Sequence, residues 1–201
     1  MKYLFIDTSN SFISIYIVKD NKVLVYKKVE TLKDMANTIM PLIREAFNEV
    51  NFHIKDIDKI FVTIGPGSFT GIRVGITVAK TISYCLNIPV YPISTLEYLS
   101  SINTNYRKII SIIDARRDNV FIGFYDTNLN KLEDEKMVSY DAIDIPNDTV
   151  VVSYDGVHDS KILDIDIIKL INKHKNDDEI NPHMLVPNYL KKTEAEEKLN
   201  G

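Results

Sequence analysis

Four of the chain's seven glycines fall within eleven residues, Gly65-Pro66-Gly67-Ser68-Phe69-Thr70-Gly71-Ile72-Arg73-Val74-Gly75, and no other feature constrains the fold as tightly. An apolar, β-branched run, Ile60-Phe61-Val62-Thr63-Ile64, precedes the segment, and a helical pattern follows it to about Leu86. The order predicted is strand, glycine turn, helix. Glycine permits positive φ and close backbone approach. Ser68 or Thr70 can cap the helix, whose first N–H groups are free to meet an anion. Gly65, Gly67 and Ser68 are therefore candidates for an anion or nucleotide site. The spacing fits neither Gly-x-x-x-x-Gly-Lys-Ser/Thr nor Gly-x-Gly-x-x-Gly, so the two common nucleotide fingerprints are absent.

The predicted helix carries a stripe of very small side chains at every fourth position: Gly71, Gly75, Ala79 and Ser83. Val74, Val78, Ile82 and Cys85 flank it on one side, Ile72 and Ile76 on the other. At about 100° per residue the non-polar arc spans roughly 200°, while packing onto one core needs only about 100°. Such a helix needs cover on two sides. One is the domain's own sheet; the other is a second helix, from a partner or from an insert of the same chain, approached closely because the stripe is small. With Met35, Ile39 and Ile43 of the preceding helix, residues Gly71, Ile72, Gly75, Ile76, Ala79 and Ser83 form the expected association surface, self-complementary in a homodimer.

With 201 residues, 45% of them hydrophobic and 26% charged, the chain has the composition of an ordinary soluble globular protein of one domain or two lobes. A net charge of −4 argues against a free-standing nucleic-acid binder, so weak nucleic-acid binding is expected of the chain alone. Cys85 is the only cysteine, which excludes an internal disulfide and a cysteine-rich metal site, and its place on an apolar flank predicts a buried small hydrophobe. Met1–Ile6 reaches Asp7 too soon for a secretory segment, and no later stretch spans a membrane, so a cytoplasmic protein is expected.

Strands are expected at Tyr3–Ile6, Phe12–Val18, Lys22–Val29, Lys59–Ile64 and Pro89–Ile93. A helix begins at Asp34, with Pro41 kinking or splitting it. Ser94-Thr95-Leu96-Glu97 resembles a capping box opening a helix to about Ile102. The polar Asn103-Thr104-Asn105 marks a lobe boundary. Beyond it come strands at Lys108–Ile113, Val120–Tyr125, Lys131–Val138 and Thr149–Ser153, a helical turn at Asp141–Ile145, a helix at Ser160–His174 and a tail helix at Glu194–Leu199. Ile6-Asp7 followed by Phe-Ile-Ser-Ile-Tyr is echoed by Ile113-Asp114 followed by Phe-Ile-Gly-Phe-Tyr. Three strands, helix, strand, helix occur twice, the mark of a duplicated α/β fold. The expected division is 1–104, a smaller lobe 105–178, and a tail 179–201.

Asp7-Thr8-Ser9 closes the first strand and faces the cleft between two such lobes, where it can hold a metal–phosphate or serve as a plain hairpin turn. His53, His158, His174 and His183 form no i, i+3 or i, i+4 pair, so no helix presents two imidazoles to one ion, and each reads as a surface or capping histidine. No Gly-x-Ser-x-Gly elbow is present. Asp114-Ala115-Arg116-Arg117-Asp118 suits either anion recognition or a solvated hairpin tip with internal pairing.

Ile6-Asp7-Thr8-Ser9, the Gly65–Gly75 segment, Ile88-Pro89-Val90 with Ser94-Thr95-Leu96, and Tyr189-Leu190-Lys191-Lys192 together resemble the TsaB (YeaZ) family. Proteins of that family are dimerisation subunits of the bacterial tRNA threonylcarbamoyladenosine machinery. The resemblance runs along nearly the whole chain and is weaker in the second half, where Asp114-Ala115-Arg116-Arg117 and the strand order carry it. It implies an ASKHA-type α/β fold, related to sugar kinases and actin, with two lobes of which the second is reduced. It implies the catalytic paralogue TsaD and the ATPase TsaE as partners, a homodimer when alone, and tRNA contacted mainly through the complex. It implies no catalytic residue, zinc or iron in this chain, and leaves room for weak nucleotide binding. The family often opens its first long helix with His-Ser, where this chain has Lys33-Asp34-Met35.

The leading functional reading is a non-catalytic partner subunit in modification of the adenosine next to the anticodon. An ATP-dependent phosphotransferase of the sugar-kinase class is the alternative, suggested by Asp7 and the lobe order. A metalloprotease is disfavoured by the missing histidine pair.

Overall fold

Aliphatic and aromatic residues alternate along the first strands, so each strand turns an aliphatic face one way and an aromatic face the other. The computed structural model describes residues 1–31 and 34–190. Strands β1 (Lys2–Asp7), β2 (Phe12–Lys19), β3 (Lys22–Glu30), β4 (Lys59–Thr63) and β5 (Val90–Ile93) form one sheet in the order β3-β2-β1-β4-β5. β1–β2 and β2–β3 are antiparallel; β1–β4 and β4–β5 are parallel, joined through helices α1 (Met35–Glu49) and α2 (Phe69–Leu86).

Leu4, Ile6, Ile13, Ile15, Ile17, Ile60 and Val62 pack under α1 and α2. Tyr3, Phe5, Tyr16, Val18, Phe61 and Tyr91 face the other way, against Tyr98 of α3 (Thr95–Ser100) and Ile167, Leu170 and Ile171 of α4 (Ile167–His174). On that second face Tyr26, Tyr16, Phe5, Phe61 and Tyr91 stand in register across all five strands. Ring centroids are 5.9 Å apart for Phe5–Tyr16 and 5.1 Å for Phe61–Tyr91, within the range of favourable aromatic pairs, and 4.3 Å for the parallel rings of Tyr16 and Tyr26. Tyr98 stacks on Phe5 from above at 5.0 Å.

The second sheet repeats the plan in shorter form. β6 (Lys108–Arg116), β7 (Asn119–Asp126), β8 (Lys131–Ser139) and β9 (Thr149–Val152) are ordered β8-β7-β6-β9, matching β3-β2-β1-β4 without a fifth strand. A 3₁₀ turn at Tyr140–Ala142 stands where the first unit has α1. This duplicated βββαβα order is the ASKHA-type α/β architecture expected above.

Several local expectations are corrected. Pro41 does not split α1, which runs unbroken from Met35 to Glu49. The helix expected over Ser160–His174 starts only at Ile167. Residues before it are extended, with bridges of Lys161 to Val152 and Ile165 to Ile102, and Asp166 caps the helix by accepting from Lys169 N. Ser94 caps α3 through Leu96 N, but Glu97 turns away toward α4, so no capping box forms. Cys85, in the last turn of α2, is exposed rather than buried. The expected tail helix lies outside the described residues.

Candidate functional site

β1 ends at Asp7, and β2 begins only after a short turn through Thr8 and Ser9. The turn folds back against the glycine segment, whose lack of side chains sets the fit. A Cβ added at Gly67, where φ is +151°, would lie 2.3 Å from the Ser9 carbonyl oxygen. One at Gly71 would lie 2.0 Å from the Thr8 carbonyl oxygen, and one at Gly75 would lie 2.2 Å from Thr8 Oγ1. Thr8 Oγ1 donates to the Gly71 carbonyl at 2.8 Å, and Ser68 N donates to the Ser9 carbonyl at 2.7 Å. Here glycine is needed for close approach of one turn to another.

This geometry corrects two expectations. The stripe of Gly71, Gly75, Ala79 and Ser83 is buried, as are Ile72, Ile76, Met35, Ile39 and Ile43. Its cover is this chain's own Thr8 and sheet, and Ser83 Oγ donates to the Ile88 carbonyl at 2.6 Å. The second expectation was that Asp7, Thr8, Ser9, Gly65 and Gly67 would hold an anion. Asp7 is fully buried and surrounded by donors: Ser9 N at 3.0 Å, Ser9 Oγ at 2.6 Å, Thr63 Oγ1 at 2.7 Å, Tyr154 OH at 3.0 Å and Asn10 Nδ2 at 3.4 Å. Gly65 lies under the Asn188 carbonyl. A metal–phosphate does not fit here, because the carboxylate has no free face and the glycine turn rests on Ser9. Only Ser68, the α2 cap that accepts from Gly71 N, stays exposed.

Burial pushes the Asp7 carboxyl up, against the opposing hydrogen bonds from Ser9, Thr63 and Tyr154. Tyr154 follows β9 of the second sheet, so one buried carboxylate ties the two sheets together. Tyr154→Phe removes that tie and the contact to Ser9 Oγ at 2.9 Å while conserving ring volume. It should lower unfolding free energy by roughly 1–2 kcal/mol, measured by urea denaturation.

Beyond the turn opens a cleft of about 1170 Å³, lined by the cap Ser68, by Phe69 and Val74 of α2 and by Ile113, Asp114 and Arg116 from β6. Arg116, Arg117 and Asp118 all take positive φ, and Arg116 N donates to Asp114 Oδ1 at 2.7 Å, which makes this a tightly folded hairpin tip. The outer surfaces of α1 and α2 remain open: Ala36 and Met40 on α1 and Phe69, Arg73 and Thr77 on α2 are exposed, with Val74 and Val78 half-buried between them. A C-terminal strap runs along α2. Asn188 N donates to the Ile64 carbonyl at 2.7 Å, Leu185 is buried, and Arg73 Nε donates to Tyr189 OH at 2.8 Å with its guanidinium 3.7 Å from the Phe69 ring centre.

A second polar cluster, gathered around the buried Glu97, was not foreseen. His174 places Nε2 at 2.8 Å from Glu97 and Nδ1 at 2.6 Å from Asp177, and Lys173 reaches Glu97 at 3.1 Å. Burial pulls the imidazole down, but the two carboxylates outweigh it and hold its pKa above the usual histidine value. Burial likewise pushes Glu97 up, and His174 and Lys173 outweigh that and hold it low. Helical spacing could not reveal the cluster, because its members pair across 77 positions of sequence.

The family described as TsaD, tRNA N6-adenosine threonylcarbamoyltransferase, matches residues 29–161. The tRNA threonylcarbamoyladenosine biosynthesis protein TsaB of Bacillus subtilis is 30% identical over 223 residues, covering 98% of this chain and 97% of that protein. The protein of the same name from Escherichia coli is 26% identical over 133 residues, 65% of this chain and 57% of its own length. Among solved structures, YeaZ from Pseudomonas aeruginosa superposes with a TM-score of 0.80 at 20% identity, covering 94% of this chain and 99% of that one.

Proposed function

Because the chain belongs to the TsaB (YeaZ) family of tRNA threonylcarbamoyladenosine biosynthesis proteins, we propose that it is a non-catalytic partner subunit of the transferase complex. In this reading it binds and supports the catalytic subunit TsaD, with TsaE joining the assembly, in modifying the adenosine next to the anticodon. The observation that carries the reading is Asp7: the acidic residue that an ASKHA phosphotransferase would turn toward a metal–phosphate is spent on Ser9, Thr63 and Tyr154. The chain then contributes surface rather than chemistry, works in the cytoplasm, and needs no zinc, iron or obligatory nucleotide of its own.

The surface assigned to the partner is the outer side of α1 and α2, in place of the buried stripe. Ala36, Met40, Phe69, Val74 and Val78 offer apolar area there, worth about 25 cal/mol per Å² once covered, and the same face is self-complementary in a homodimer. tRNA contacts fall mainly to TsaD, in keeping with a net charge of −4.

Co-purification with TsaD tests the proposal, together with an assay for threonylcarbamoyladenosine on tRNA. Product is expected only when TsaD is present. Met40→Glu and Thr77→Arg lie at exposed positions; each should weaken TsaD binding by about tenfold or more, a loss of about 1.4 kcal/mol, with an unchanged melting temperature. Product formation by this chain alone would overturn the non-catalytic assignment, and full TsaD binding by both variants would overturn the surface.

A further inference from the structure

We infer that Arg73, on the outer face of α2, takes a carboxylate of the protein that docks there, and that this contact favours TsaD over a second copy of the chain; this rests on the reading that TsaD covers the outer side of α1 and α2. Arg73 is exposed, one helical turn after Phe69 and one before Thr77, in the middle of that surface.

The side chain is braced from two directions. Its guanidinium lies 3.7 Å from the centre of the Phe69 ring and 5.8 Å from that of Tyr189, and the two rings stack with centroids 5.8 Å apart. Nε donates to Tyr189 OH at 2.8 Å. Tyr189 is in turn fixed by the strap, through Asn188 N on the Ile64 carbonyl and the buried Leu185. With Nε taken, the edge that carries both Nη groups has no acceptor among the described residues, and no described carboxylate lies within ion-pair distance of it. That edge matches the two oxygens of a carboxylate. An arginine already held in place loses little freedom on binding, and arginine among aromatic residues is a frequent anchor of protein interfaces.

The surrounding charges decide the class of partner. The charged side chains of α2 are Arg73 and Lys80, with no acid among its residues. α1 adds the exposed Arg44, and its acids are engaged within the chain: Glu45 and Glu49 by Lys27, and the N-cap Asp34 by Asn37 Nδ2 at 2.5 Å. A second copy on this face therefore brings Arg73 no uncommitted carboxylate from α1 or α2, and it sets the cations of one copy near those of the other. A partner with its own Asp or Glu at the contact fills the place. Preference between two partners is a difference of affinities, here drawn from an attraction to one and a repulsion from the other. The net charge of −4 puts a protein carboxylate ahead of a nucleic-acid phosphate as the group recognised.

The test is calorimetric titration of TsaD with the full chain and its Arg73→Met, Arg73→Lys and Arg73→Glu variants, with sedimentation of each alone and Met40→Glu measured beside them. Arg73→Met should bind TsaD about tenfold or more weakly than the parent. Arg73→Lys should fall between, since it keeps the charge and loses the fork. Arg73→Glu should bind more weakly than Arg73→Met, because two carboxylates then face each other. Self-association of Arg73→Met should be the same or tighter, and melting temperatures check that the fold survives. Equal TsaD affinity in the parent and Arg73→Met, or in Arg73→Met and Arg73→Glu, would overturn the inference. So would a parallel loss of TsaD binding and self-association, which would leave Arg73 as a brace for the strap, or loss of tRNA binding alone, which would assign it to phosphate. Met40→Glu separates the two levels: if it weakens TsaD binding and Arg73→Met does not, the surface stands and the role of Arg73 falls, whereas no effect from either removes both.

Discussion

Gly71→Ala should melt roughly 10 °C below the parent protein. The added Cβ would sit 2.0 Å from the Thr8 carbonyl oxygen, which belongs to the backbone between β1 and β2 and has no rotamer to yield. Overpacking by a methyl group ordinarily costs about 1–3 kcal/mol, occasionally more, and a backbone clash at the junction of two elements belongs at the upper end. In a chain of this size about 1 kcal/mol shifts the midpoint by roughly 2–4 °C. Gly75→Ala meets a different obstacle, the Thr8 side chain, with Oγ1 at 2.2 Å. The double variant Thr8→Ala/Gly75→Ala should therefore be more stable than Gly75→Ala alone, whereas Thr8→Ala should not rescue Gly71→Ala. Differential scanning calorimetry decides the matter. A Gly71→Ala protein melting within a degree or two of the parent would return the stripe to the outer surface.

Glu97→Gln should cost about 2 kcal/mol near pH 6, because it removes the negative charge that Lys173 and the imidazolium of His174 share and leaves His174 only the more exposed Asp177. The pH dependence follows from the two shifts. His174 is raised in the folded state, so its contribution is complete below the ordinary value of 6.5 and fades as pH climbs through the raised value. Glu97 is lowered, so its contribution is complete above 4.5 and is lost as pH falls through the lowered value. Both are fully present between those ordinary values. Asp7, raised by burial, loses its contribution as pH rises from the acid side, in the same direction as His174. Urea denaturation from pH 4 to 9 on the parent and on His174→Gln separates the two. The variant should lose the decline on the alkaline side and keep the one due to Asp7. An unchanged alkaline limb in His174→Gln would remove His174 from the account.

Strand, glycine turn and helix at Ile60–Leu86 were legible because each rests on local chemistry: β-branched residues, then glycine, then 3.6-residue periodicity. The duplication was legible in the same way, from Ile6-Asp7 and Ile113-Asp114. What lies on the far side of a small-residue stripe is a different question. A stripe of Gly71, Gly75, Ala79 and Ser83 permits close approach without saying to what, and the answer, Thr8, lies 63 positions away from Gly71. Asp7 failed as a phosphate ligand for the same reason, since Tyr154 comes from the other half of the chain. The early part of Ser160–His174 misled because Ile162, Leu163 and Ile165 fit a helical face, yet bridges to β9 and Ile102 hold that stretch extended.

The row of rings across the first sheet also makes the chain its own optical probe. It contains no tryptophan and eleven tyrosines, so near-ultraviolet circular dichroism and intrinsic emission come from tyrosine with a smaller phenylalanine part. Tyr3, Tyr16, Tyr91 and Tyr98 share one packed face, and Tyr26 adds a ring parallel to Tyr16. Signal from that wavelength range therefore reports largely on the face covered by α3 and α4, while on the outer side of α2 it comes from Tyr84 and from Tyr189, which stacks on Phe69. A partner docking on α1 and α2 would change the environment of Tyr84 and Tyr189 alone and leave the row of rings across the sheet untouched.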